Sequence, residues 1–308
     1  MQPLAPDRRL ALLAPPRGRI RYVMDTDTYN EIDDQFALVY ALLSPEHDLQ
    51  AVYAAPFFND RSTGPADGME KSYAEILHIL GLHRVPHEGL AFRGSTAYLS
   101  ADKRPVESAA ARDLIARARS SGPEPLYVLA LGAITNVASA MLMAPDIVDN
   151  IVIVWLGGHP PYWPDTREFN LRQDVAAAQV ILDSGAAVVQ IPCALVAEQL
   201  RTTLPEMERH VRGQGVVGDY LYGIYRDYVP TGPSRSKVIW DISTVAYLAQ
   251  PDSITSDLCP SPVLLPDATW GPVEPSRHPI RIVRHIDRDL VYGDLFARIK
   301  RAATTRAS

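Results

Sequence analysis

Five carboxylates fall within ten residues near the start of the chain: Asp25, Asp27, Glu31, Asp33 and Asp34. At this density like charges repel one another unless a cation or retained protons relieve them. The simplest such cation is a hard divalent metal held by oxygen ligands. A bound metal lowers the pKa of a water molecule, and a neighbouring carboxylate can take the released proton. A helix cap among solvated acids would explain one aspartate. Five acids around one junction point instead to a functional site.

The flanking residues indicate what holds the acids. An apolar run over 20–24 precedes them and an amphipathic segment over 36–43 follows, so the order is strand, turn, helix start. On a strand, Asp25 and Asp27 project to the same side, because side chains alternate. Asp33 and Asp34 fall in a first helical turn, where carboxylates favour the positive end of the dipole. Further strands are expected at 49–54, 126–131, 151–156 and 188–191, and helices at 33–43, 68–80, 108–119, 135–143 and 175–183. This alternation predicts a single α/β domain with a mostly parallel central sheet flanked by helices. In such folds ligands bind in a crevice at the carboxyl ends of the strands.

After residue 200 the pattern loosens. The segment 205–237 is rich in Gly, Tyr and Arg, and its Tyr220, Tyr222, Tyr225 and Tyr228 either cover a site or pack as aromatics at helical spacing. A helix over 241–249, a late strand over 279–286 and a terminal helix complete the domain. Residues 1–19, rich in Pro and Arg, are expected as a flexible arm, leaving 20–308 as the catalytic domain.

Composition narrows the function classes. The chain has 308 residues, 47% hydrophobic and 21% charged, with a net charge of −6, as suits a globular enzyme rather than a nucleic-acid surface. Cys193 and Cys259 are too few for a disulfide framework or a thiolate metal site, and they fit a reducing cytoplasm. No apolar run is long enough to span a membrane.

Two resemblances follow from these motifs. Asp25-x-Asp27 after an apolar run resembles the first motif of haloacid-dehalogenase-like magnesium phosphatases, in which the first Asp is the nucleophile and the second an acid. That family also needs a later Lys and a distant acidic pair, whereas here the pair follows at Asp33-Asp34. The fuller match is to the inosine–uridine preferring nucleoside hydrolases, with their Rossmann-like core. Asp25-Thr26-Asp27 and Asp33-Asp34-Gln35-Phe36-Ala37-Leu38 resemble its opening. In order follow Ala54-Ala55-Pro56-Phe57-Phe58-Asn59, Leu131-Gly132-Ala133-Ile134-Thr135-Asn136 and Leu156-Gly157-Gly158. Glu168-Phe169-Asn170, Asp174-Val175-Ala176-Ala177-Ala178 and Trp240-Asp241 complete the set.

The resemblance implies a calcium-dependent hydrolysis of the N-glycosidic bond of a ribonucleoside, giving ribose and free base. Asp27, Asp34, Asp241 and the Leu131 carbonyl would bind Ca2+, with Asp27 also the base on its water. Asp33, Asn59, Glu168, Asn170 and Asp241 would hold ribose, and Asp25 would orient the ligands from behind. The partner is a small nucleoside, and the assembly a homodimer or homotetramer. A ribosyl-binding protein on the same fold is the remaining alternative.

The chain departs from the family at several points. Residues 28–32 make a longer link before Asp33 than the family usually has, adding Asn30 and Glu31. Trp240 stands where many members carry a His proposed as acid for the leaving base. Purine-preferring members share that Trp, which implies stacking on the base, with a partner among Trp163, Tyr98 or the tyrosines near 225. A His-bearing loop is missing at 92–96, where Arg93 stands. His159, Tyr162 and Trp163 occupy a region that usually supplies an Asn.

Overall fold

Val- and Ile-rich runs alternate with amphipathic segments along most of the chain, and the structure, a computed structural model, turns them into strands and helices. It describes residues 4–120, 122, 124–229, 232 and 234–305. Helix α1 (Pro6–Leu12) precedes strand β1 (Arg21–Thr26), helix α2 (Asp33–Leu42) and strand β2 (Asp48–Ala54). Helix α3 (Pro65–His83), strand β3 (Ala91–Arg93), helix α4 (Ala109–Arg119) and strand β4 (Leu126–Ala130) follow. Then come helix α5 (Thr135–Met143), strand β5 (Ile151–Leu156), helices α6 (Phe169–Gln173) and α7 (Val175–Asp183), and strand β6 (Ala187–Ile191). Strand β7 (Arg201–Thr203), helices α8 (Leu204–His210) and α9 (Gly215–Tyr228), strand β8 (Ser236–Val238) and helix α10 (Ile242–Ala249) lie next. Strands β9 (Ile254–Pro260) and β10 (Pro279–Ile286) and helix α11 (Arg288–Thr305) close the chain.

Eight strands form one sheet in the order β3-β2-β1-β4-β5-β6-β10-β9, parallel except for the β9–β10 pair. This is the expected α/β domain. Strands β4, β5 and β6 are buried along their whole length, because helices cover both faces, which explains their continuous apolar sequences. From β1 the chain winds outward through β2 and β3, then returns to start β4 on the other side of β1. A crevice opens at such a switch point, outside the carboxyl ends of the two strands. The two ends approach closely: a Cβ added at Gly132, just after β4, would lie 2.8 Å from Asp27 Cγ.

Strands β3, β7, β8 and β9 were not expected from sequence. The first three are only three residues long, and β9 is a half-exposed edge with charged Asp257, so none shows the apolar run of a buried strand. The expected loose arm is also corrected. Leu12 and Leu13 are buried in the core, and the Arg9 guanidinium donates to the carbonyls of Gly185 (3.0 Å) and Leu4 (3.1 Å). Arg281 of β10 donates to the Leu13 carbonyl at 2.6 Å. The arginines that suggested a solvated segment are what pin it. Replacing Leu13, which is 0% exposed, by Ala is expected to lower unfolding stability by about 2–4 kcal/mol in urea titration. A change near zero would mean that the segment does not dock.

Candidate active site

The switch-point crevice is a cavity of about 320 Å³. Its lining includes Asp27, Asp33, Asn59, Leu131, Glu168, Asn170, Trp240 and Asp241, all expected from sequence. It also includes Asn30, Glu31, Leu156, His159, Phe169 and Cys193. Asp34 lies beneath, 1% exposed, and its Oδ1 accepts from the Thr26 hydroxyl.

Two helix starts deliver the acids. Asp33 and Asp34 open α2 and Asp241 immediately precedes α10, and these three offer oxygens all within 4.8 Å of one another. The grouping differs from the expected metal set, which placed Asp27 with Asp34 and Asp241 and gave Asp33 to ribose. Asp27 leaves the end of β1 beside the trio, near enough that the charges of Asp34 and Asp33 act on it. Asp25 is fully buried and does not line the crevice. Its Oδ1 accepts from Asn136 Nδ2 at 2.7 Å. Asn136 also donates to the Ala54 carbonyl (3.2 Å) and accepts from the Ser95 amide (2.7 Å), tying together the ends of three strands. A phosphatase nucleophile would have to reach substrate, and Asp25 cannot from this position.

The polar residues around the acids are held by the backbone. Glu168 caps α6, accepting from the amides of Gly158 (2.8 Å), Asn170 (2.8 Å) and Leu171 (3.1 Å). Asn170 Nδ2 donates to the carbonyls of Leu131 (2.6 Å) and Leu156 (3.0 Å). Asn59 Nδ2 donates to Asn30 Oδ1 at 2.6 Å, and its own Oδ1 accepts from the Arg61 amide at 2.9 Å. The longer link before Asp33 thus supplies a partner for Asn59. Its second added residue, Glu31, forms an ion pair with Lys237 of β8, a residue that nothing in the local sequence singled out.

Other expected contacts are not made. Tyr98 and Trp163 lie outside the lining. Arg93 pairs with Glu70 at the surface, as is expected of a lone Arg near a loop. Tyr225 is buried in the core, its hydroxyl donating to the Thr202 carbonyl at 2.7 Å, so it is no stacking partner for Trp240.

Burial dominates the electrostatics. It raises the carboxyl of Asp25 to about 7, opposed by the Asn136 amide. Burial and then the charge of Asp33 raise Asp34 to about 8, opposed by the Thr26 hydroxyl. Asp27 and Asp241 are raised well above the carboxylate range, first by burial and then by Asp34 and Asp33. Asp33 and Asp241 lie within reach of each other, and the charge of Asp33 adds to the rise of Asp241. The Oδ2 atoms of Asp25 and Asp27 are buried without a hydrogen-bond partner. Clustered acids of this kind retain protons until a cation replaces them. Close carboxylates of hard oxygen donors, with an orphaned Asp27 oxygen beside them, fit a divalent metal ion.

The fold and the site together define an α/β protein with an acidic, cation-compatible crevice at the switch point of its sheet. The sequence profile of the inosine-uridine preferring nucleoside hydrolase family matches residues 22–293, and the chain belongs to that family of enzymes acting on N-glycosyl bonds. A relative from Escherichia fergusonii, the non-specific ribonucleoside hydrolase RihC, is 27% identical over 264 residues, covering 78% of this chain and 83% of the relative. Among solved structures, a purine-preferring ribonucleoside hydrolase from Gardnerella vaginalis superposes with a TM-score of 0.73 at 23% identity, covering 92% of this chain and 99% of that one. An inosine-uridine preferring nucleoside hydrolase from Bacillus anthracis gives 0.69 at 17% identity, again covering 92% and 99%. These structures share the fold. Among the described residues no helix is long and apolar enough to cross a membrane.

The raised carboxyls predict a pH dependence. Folded protein without metal holds the Asp25 and Asp34 protons more tightly than the unfolded chain does. Their stabilising contribution is therefore complete below the unfolded carboxylate value of about 4 and is lost as pH rises through about 7 and about 8. The Tm of chelator-treated protein is expected to fall between pH about 5 and about 8.5, while divalent-cation affinity measured by calorimetry rises over the same interval. Cation affinity flat across it would mean that the acids are already ionised in the metal-free protein.

Proposed function

We propose that this protein cleaves the N-glycosidic bond of a ribonucleoside, with calcium as cofactor and a preference for purine bases. The observation that carries this reading is convergence. Eight side chains or carbonyls, drawn from Asp27 to Asp241 along the chain, meet in one nucleoside-sized crevice at the switch point. The name of the Escherichia fergusonii relative, a ribonucleoside hydrolase, supports the substrate class.

Asp27, Asp34, Asp241 and the Leu131 carbonyl hold the ion, with Asp25 behind them. When bound, it supplies charge to orient sugar hydroxyls and to acidify a water. Asp27 takes the proton of the attacking water, its buried Oδ2 being free of other partners. Asp33, Asn59, Glu168, Asn170 and Asp241 bind ribose hydroxyls. Fixed by the helix start and backbone bonds described above, they hold the sugar in one pose against the water. Positive charge develops on the sugar ring as the bond breaks, and the acidic wall stabilises it. Trp240 offers an aromatic face on which a purine can stack as it leaves.

A panel of ribonucleosides, assayed for ribose release with and without chelator, tests the reaction. Release that vanishes with chelator and returns with calcium is expected; cleavage of a phosphate ester with no nucleoside consumed would rule the reading out. Asp27→Asn should lower kcat about 10²- to 10⁴-fold with the fold intact by circular dichroism, and wild-type kcat in that variant would remove Asp27 as base. Trp240→Ala should slow purine nucleosides about tenfold more than pyrimidine ones. Equal losses on both would leave the tryptophan no part in base recognition.

A further inference from the structure

The trio of Asp33, Asp34 and Asp241 poses a sorting problem. All three offer oxygens within 4.8 Å of one another, so distance alone does not say which bind a cation and which are left for substrate. Their other partners differ. Asp34 accepts a neutral hydroxyl from Thr26. Asp33 faces an ammonium: Lys237 Nζ lies 3.6 Å from its Oδ2 and forms an ion pair with Glu31. The Lys237 side chain is 12% exposed and that of Asp33 5%.

The ammonium projects from a two-stranded ribbon. Thr202 of β7 and Lys237 of β8 are directly paired across the two-stranded ribbon, and the Lys237 amide donates to the Tyr225 hydroxyl at 3.2 Å. The Tyr228 ring lies under Nζ, 5.7 Å away. Glu31 is anchored in turn, its carbonyl accepting from Arg61 Nη1 at 2.8 Å while the Arg61 guanidinium stacks 4.3 Å from the Tyr29 ring. Burial would push the Lys237 ammonium toward neutrality, but Asp33 and Glu31 outweigh it and hold the charge.

We infer that Lys237, held by Glu31, is a positioning residue that sorts these carboxylates. A carboxylate facing an ammonium is a poorer ligand for a second cation, and the two cations repel each other at this range. Lys237 thereby withdraws Asp33 from the ion and keeps it oriented for a sugar hydroxyl, leaving Asp34 and Asp241 to the metal. The assignment rests on the nucleoside hydrolase reading above. It also gives Glu31, in the extended link before α2, a reason to be there.

The test compares full-length wild type with Lys237→Met, Lys237→Arg and Glu31→Gln. Calcium is titrated into chelator-treated protein by calorimetry, and D-ribose into calcium-loaded protein by saturation-transfer NMR. Lys237→Met is expected to bind calcium at least as tightly as wild type and D-ribose about tenfold or more weakly. Lys237→Arg should restore both affinities, and Glu31→Gln should show the same split in smaller measure. Parallel loss of calcium and ribose, or unchanged ribose binding, would overturn the sorting role. Should Lys237→Met not fold, Glu31→Gln decides alone: calcium kept with ribose weakened supports the role, and any other result overturns it. Wild type that binds calcium but neither binds ribose nor cleaves a nucleoside would overturn the hydrolase reading, and this inference with it.

Discussion

Four aspartates buried side by side are the constraint on which the rest of this structure depends. Removing even one carboxylate from water is unfavourable by several kcal/mol unless partners replace its hydration. Beyond backbone groups, Asp27, Asp33, Asp34 and Asp241 receive few such partners: one hydroxyl on Asp34 and one ammonium near Asp33. A crevice built this way is high in energy without a cation and is poised to receive one. Such a cost is tolerable only in a frame that prevents the acids from swinging out to solvent.

The sheet supplies that frame. Asp27 leaves the end of a strand that has neighbours on both sides, β2 and β4, and is itself buried. Asn136 binds Asp25, Ala54 and Ser95 at once, so the carboxyl ends of β1, β2 and β3 are fixed relative to α5. Asp174 does the same further along, accepting from the Leu99 amide, the Thr135 hydroxyl and the Ala177 amide. Glu168 spends its oxygens on three backbone amides. It can therefore present negative charge to a sugar without joining the aspartate trio. Polar groups near the crevice thus act twice, once on the backbone and once toward the cavity.

Much of this was legible in the sequence, for a physical reason that also sets the limit. The acids from Asp25 to Asp34 are local, so the strand–turn–helix pattern alone brings them together. Helices such as Thr135–Met143 and Val175–Asp183 emerge with the expected bounds because helix-favouring composition and its flanking breaks are properties of the segment itself. Lys237 was invisible for the opposite reason. It lies 206 residues from Glu31 on a strand of three residues, where no local pattern signals a buried charge. Tyr225 was misleading in the same way: its helical neighbourhood was clear, but whether it faced the cavity or the core depended on β7 and β8. The N-terminal segment was misjudged on composition, since Arg9 finds carbonyl partners that only the folded chain can offer.

The charge distribution also bears on how the bond would break. Apart from the acids, the crevice is walled by groups that stay neutral. Burial holds the His159 imidazole below its ordinary value, and its Nδ1 accepts from the Ala194 amide, so at neutral pH it is uncharged. Burial, then Glu168 and Asp241, push the Cys193 thiol well up, which removes it as an acid or nucleophile. Leu156, Phe169 and Trp240 complete this wall. A strong acid placed there would compete with the sugar for the electrostatic attraction of the aspartates and would itself be drawn into an ion pair. Concentrating charge on the sugar side and leaving an aromatic surface for the base avoids that competition. The barrier would then fall mainly through stabilisation of the positive ring and activation of the water, and the base would leave on its own basicity, supported by stacking rather than by a dedicated proton donor.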